Sequence, residues 1–280
     1  MRITFSIIAL SFLFTAYAED KLFLTEEVVR FNSAGDSLEG VLHLPGNSGK
    51  YPLAVFVHGS GMATRSDYQE FVALMIRAGI AVFRYDKRGV GASGGVYTDV
   101  NTSNSERIFS ILAFDAAAAI QYFKNDRRIN SSKIILIGGS QAGWIIPQVN
   151  TIVNVWLSIC ISGPSVTVGE EIYYSDLAEY GRMTQAQANE TLHNFKGPRG
   201  YDPRRRIGKM KEPSLWLFGG KDVSIPVKLS IHLVDSIRTL HHLPLDMKIY
   251  PDADHGLFNI SQQKREDYVK FIIEWILKFT

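Results

Sequence analysis

The sequence predicts an α/β chain built on a mostly parallel, doubly wound sheet, with an antiparallel hairpin at its N-terminal side and a small helical insertion. Three observations carry this reading. Short apolar runs of strand length recur from residue 53 to residue 249. They read as strands buried on both faces. Helical stretches separate them, and those helices supply the cover.

In chain order, residues 1–18 stand apart. Arg2 precedes an apolar run over 3–14, Ala16-Tyr17-Ala18 is a small-x-small cleavage pattern, and Glu19 and Asp20 follow at once. This is the layout of a secretory signal peptide, too short to span a bilayer comfortably. The expectation is a secreted or periplasmic protein whose domain runs over 19–280, with no stable membrane insertion after signal cleavage. Two β runs, over 27–31 and 38–44, flank the turn residues Ser33-Ala34-Gly35-Asp36 and predict the hairpin. Strands are then expected at 53–57, 80–83, 134–137, 153–161, 215–218 and 245–249. Helices are expected at 67–77, 105–124, 227–240 and 262–279, the last with Tyr268, Phe271, Ile272, Trp275 and Phe279 as a core-facing stripe. The interval 163–213 is much longer than an ordinary connection and holds helical stretches near 169–180 and 184–194. Long insertions at a sheet's edge tend to carry function, so it is read as a lid.

Composition narrows the functional classes. Of 280 residues, 46% are hydrophobic and 21% charged, an ordinary globular balance that excludes a disordered chain. Thirty basic against 28 acidic side chains give +2 without a long run of either sign, so a nucleic-acid partner is not expected. The one cysteine, Cys160, lies in an apolar run and reads as packing. His193, His232, His241 and His242 lack metal-ligand spacing with carboxylates, and no metal site is expected.

The chemistry gathers at strand ends. The run at 134–137 leads into Gly138-Gly139-Ser140-Gln141-Ala142-Gly143 and then a helix, the pattern of a nucleophile elbow. Alanine stands at 142 where the strict pattern has glycine. The run at 53–57 ends in His58-Gly59-Ser60-Gly61. The oxygen that becomes negative in a tetrahedral intermediate needs N–H donors, and here those of Gln141 and Ser60 are the candidates. His58 reads as a histidine bracing its loop. Downstream, Asp222 follows the run at 215–218 and His255 follows the run at 245–249. The order Ser140, Asp222, His255 is that of an elbow triad: serine as nucleophile, histidine as base, carboxylate holding the imidazole tautomer. Asp252 and Asp254 are nearer to His255 in sequence, but neighbours in an extended loop point away from it. No acidic cluster conspicuous beside these loops marks a site for a substrate's amino terminus.

With these residues the chain resembles the α/β-hydrolase family. Arg84-Tyr85-Asp86-Lys87-Arg88-Gly89-Val90-Gly91-Ala92-Ser93 is similar to that family's Asp-x-Arg-Gly-x-Gly-x-Ser turn. Together with Tyr201-Asp202-Pro203, the chain resembles the prolyl-oligopeptidase-like or serine-aminopeptidase-like serine hydrolases. The resemblance implies acyl transfer to water without a cofactor, on a small-molecule acyl ester or a short peptide. A carboxylic ester hydrolase is the first expectation. A peptidase on short peptides is the alternative, then a binding protein on the same scaffold.

Overall fold

A computed structural model describes residues 25–280; the signal peptide read at 1–18 lies outside the described residues. Strands β1 (Thr25–Ser33) and β2 (Asp36–Leu44) form the expected hairpin, paired from Thr25 against Leu44 to Ser33 against Asp36. There follow β3 (Tyr51–Val57), α1 (Gln69–Arg77), β4 (Ala81–Tyr85), α2 (Ser105–Phe123), β5 (Ile129–Gly139), α3 (Ala142–Ile152) and β6 (Leu157–Ile161). Helices α4 (Val168–Ala178), α5 (Gln185–Leu192) and α6 (Arg204–Ile207) occupy the long interval before β7 (Ser214–Gly219). The chain closes with α7 (Val227–His241), β8 (Leu245–Tyr250), the short pair β9 (Phe258–Asn259) and β10 (Lys264–Arg265), and α8 (Tyr268–Leu277).

The eight-stranded sheet runs β1-β2-β4-β3-β5-β6-β7-β8, parallel throughout except where β2 meets β1 and β4. Strand alternation divides the apolar side chains between two layers. Leu53, Val55, Val57, Trp216 and Phe218 face one layer with Phe109, Phe123 and Trp144 of α2 and α3. Ala54, Phe56, Leu215 and Leu217 face the other with Phe71 and Met75 of α1 and Ile272 and Trp275 of α8. From β3 the chain winds one way to β4, then returns to β5 on β3's other side and winds away to β8. The carboxyl ends of β3 and β5 therefore diverge, and open α/β sheets bind ligands in such a crevice.

Two expected elements are corrected. The helix expected from residue 262 begins at Tyr268, because 258–265 forms the β9–β10 pair; Asn259 directs that turn, its Oδ1 accepting from the Gln262 N–H and its amide donating to Glu266. The strand expected from 153 begins at Leu157, since Val153 still closes α3 by donating to the Val149 carbonyl. The insertion helices lie close to their expected places. Capping boxes start two of them, Thr167 with Glu170 for α4 and Thr184 with Gln187 for α5. Among the described residues no helix is long and apolar enough to cross a membrane.

Candidate active site

Ser140 follows β5 with φ at 54°, in the left-handed region, which costs a non-glycine residue about 1 to 2 kcal/mol. The surroundings hold it there. Its N–H donates to the Ile161 carbonyl at 2.8 Å, and its carbonyl accepts from the Gly143 N–H at 2.8 Å. The preceding N–H, of Gly139, donates to the Tyr68 hydroxyl at 3.1 Å. A methyl group on Gly138 would meet the Val57 carbonyl oxygen at 2.4 Å and the Ala142 Cβ at 2.6 Å. The Ala142 methyl thus fills the room that Gly138 leaves, which is why alanine is accommodated at 142.

Asp222 is 0% exposed in a turn after β7. Its Oδ1 accepts from the N–H groups of Ser224 and Ile225 at 2.9 and 3.1 Å. Its Oδ2 lies 2.7 Å from His255 Nδ1, so Nδ1 carries the proton in the neutral ring and Nε2 is left with its lone pair. The Asp222 and His255 loops meet backbone to backbone. The N–H groups of Gly220 and Lys221 donate to the carbonyls of Tyr250 and Ala253, each at 2.8 Å. A methyl group on Gly219 would stand 2.1 Å from the Asp254 carbonyl oxygen, so only glycine permits this approach. The Ser162 hydroxyl, one residue beyond the carbonyl that holds Ser140, donates to the His255 carbonyl at 2.8 Å. Asp254 is committed elsewhere, accepting at 2.9 Å from the N–H groups of Gly256 and Phe258, and Asp252 is exposed.

Burial works against the His255 imidazolium. The hydrogen bond and charge of Asp222, with the charges of Glu179 and Glu171, outweigh it and hold the pKa above the ordinary histidine value. His58 behaves oppositely. Buried with Nε2 2.5 Å from the Tyr85 carbonyl, it is pushed down to about 4 by desolvation and stays neutral at pH 7. It braces the loop after β3, as the sequence suggests.

Ser60 is exposed on that loop and Gln141 is buried at the start of α3. Both line a cavity of about 710 Å³ together with the apolar Val96, Val100, Ile108 and Leu112. Two further groups at these loops escape the sequence reading. Lys87, 3% exposed, sends its ammonium to the Gly59 and Gly61 carbonyls at 2.8 and 3.1 Å and to Gln141 Oε1 at 3.0 Å. The signal available was a lysine inside a turn motif that otherwise needs no cation there. Glu171 of α4 lies in the field of His255. Its carboxyl is pushed up to about 8, first by burial, with the charges of Glu179, Asp222 and Asp176 adding and His255 opposing. Acidic groups therefore do stand beside His255, contrary to the sequence expectation; the doublet Glu170-Glu171 was the sign. Among the described residues no cluster of three histidine, cysteine or carboxylate side chains could hold a metal ion.

Residues 66–280 match the prolyl oligopeptidase family. The human acylamino-acid-releasing enzyme is 22% identical over 238 residues, covering 81% of this chain and 32% of its own. The rice acylamino-acid-releasing enzyme 1 is likewise 22% identical, over 239 residues, with 81% and 29% covered. The chain spans about a third of the length of these curated relatives. Among solved structures, an esterase of Pyrococcus furiosus superposes with a TM-score of 0.70 at 18% identity, over 92% of both chains. The acylaminoacyl peptidase of Pyrococcus horikoshii does so at 0.66 and 16%, over 91% of this chain and 41% of that one. The shared architecture is the α/β-hydrolase fold.

Proposed function

Because this chain belongs to the prolyl oligopeptidase family and is a serine hydrolase, we propose that Ser140 is its nucleophile, His255 its base and Asp222 the carboxylate behind that base. The observation that carries this is the 2.7 Å Asp222–His255 contact, built on the same sheet edge as a serine held at positive φ. Ser140 Oγ attacks the acyl carbon as its proton passes to His255 Nε2. The carbonyl oxygen becomes an oxyanion facing the N–H groups of Gln141 and Ser60. Collapse breaks the bond to the leaving group, which takes the proton from His255. Water then attacks the acyl-enzyme, giving its proton to His255, which returns it to Ser140.

The substrate we propose is a carboxylic ester with a small acyl group. The apolar side chains of Val96, Val100, Ile108 and Leu112, on one part of the cavity that Ser60 and Gln141 also line, support this. A second reading, a peptidase on short peptides, is favoured by Glu179, whose charge acts on His255, and by Glu171, a buried acid that a bound ammonium would ionise and so would suit a free amino terminus. Here the insertion at 163–213 acts as the lid that brings those groups in. A panel of alkyl esters, p-nitrophenyl esters and aminoacyl p-nitroanilides separates the two. Alkyl esters should be turned over with kcat/KM at least about tenfold above any anilide. Preference for anilides with a free amine over their N-acylated forms would transfer the assignment to the peptidase.

We also infer export, supported by Arg2, the apolar run over 3–14 and Ala16-Tyr17-Ala18. The protein recovered from periplasm or medium should have the mass of a chain starting at Glu19. Recovery of the full-length mass there would remove the signal-peptide assignment.

A further inference from the structure

We propose that Lys87 is a positioning residue of the oxyanion site, a single buried ammonium that fixes both backbone segments from which the oxyanion donors project. This rests on the reading of the Gln141 and Ser60 N–H groups as those donors. An ammonium has three donors and no acceptor, and Lys87 uses all three, on Gly59, Gly61 and Gln141. The Gly59 carbonyl and the Ser60 N–H belong to one peptide unit, planar and trans, so they point in opposite directions. Holding the Gly59 oxygen at 2.8 Å therefore aims the Ser60 N–H away from Lys87, and the positive charge polarises that peptide into a stronger donor. The third bond ties the same ammonium to the side chain of Gln141, whose backbone bears the other donor.

The mount is itself rigid. The Lys87 N–H donates to the Ala63 carbonyl at 3.1 Å, and the Val90 N–H donates to the Lys87 carbonyl at 2.8 Å. The Asp86 carboxylate accepts from the N–H groups of Arg65 and Ala92, each at 2.9 Å. Neighbouring Arg88 is occupied by Asp115, Asp36 and the Ser33 carbonyl. The Asp-x-Arg-Gly-x-Gly-x-Ser turn thus presents Lys87 to the loop after β3.

A buried ammonium held only by neutral oxygens is a poor stabilising device, since an apolar side chain would avoid its desolvation. The charged and titratable groups around it are Asp67 and Asp99, which act through their fields, Asp86 alongside in the turn, neutral His58, and Tyr97, whose ring centre is 5.8 Å away. Burial outweighs the two aspartates and brings Lys87 down to about 8. Glu171 titrates in the same range, so the pH dependence is measured in Glu171→Gln.

Lys87→Met keeps the length of the stem and removes the charge. Its kcat should fall on the order of 10²-fold, as for loss of an oxyanion donor, with KM within about threefold of the parent. In Glu171→Gln, kcat/KM should rise with pH as His255 loses its proton, then fall as Lys87 loses its own near 8. Adding Lys87→Met should abolish the alkaline limb. Folded Lys87→Met with parental kcat, or with its loss confined to KM, overturns the proposal. If Lys87→Met does not fold, the Glu171→Gln profile decides alone, and a plateau to pH 10 overturns it. The parent reading fails separately, by activity surviving in Ser140→Ala.

Discussion

Ser140→Ala is expected to lose turnover and fluorophosphonate labelling together while unfolding at the same temperature as the parent protein. Alanine and serine meet the same cost at φ 54°, and the hydrogen bonds that hold this turn come from the backbone at 140, not from its side chain. Stability should therefore barely change. Activity should fall by about 10⁶ in kcat, the scale on which elimination of a triad nucleophile acts. No other group can take over. The thiol of Cys160 is fully buried, and burial pushes its pKa far above the ordinary thiol value. Activity within tenfold of the parent would remove the elbow assignment.

Asp222→Asn should cost on the order of 10⁴ in kcat, as the equivalent change does in serine proteases. The amide oxygen can keep the bonds from Ser224 and Ile225, but its NH₂ then faces His255 Nδ1. Nδ1 must become the acceptor, the ring proton moves to Nε2, and the base no longer has a lone pair for Ser140. Asp252→Asn and Asp254→Asn should each lose less than about tenfold in kcat/KM, since one side chain is exposed and the other holds its own turn. The reverse ranking of the three variants would place the acid in the histidine loop.

The residues most legible in the sequence are those whose function follows from a strand and the turn beside it. Ser140, Asp222 and His255 each fall in the turn or loop that follows a strand run, and a parallel sheet delivers such positions to one edge. Lys87 and Glu171 were opaque because no local pattern encodes their partners. Lys87 meets a loop 28 residues earlier and a helix start 54 residues later, and the charge of Glu171 acts on His255 because Tyr174 and Gln185 bind the insertion to the Asp222 turn. The misplaced element starts have a different cause. Apolarity reports burial, not pairing: Val155 is buried although it precedes β6. Likewise, the polar stretch before Tyr268 could have extended a helix had Asn259 not turned the chain.

The backbone approach of Gly219 and Gly220 to the loop after β8 has a mechanical consequence. The acid and the base are mounted on what amounts to one plate, joined by peptide groups that have no rotamers to change. Whatever displaces that plate carries both together and leaves their mutual alignment untouched. The free coordinate of the machinery is then a single distance, from this plate to the strand end that carries the serine, and positional error accumulates there and not within the pair.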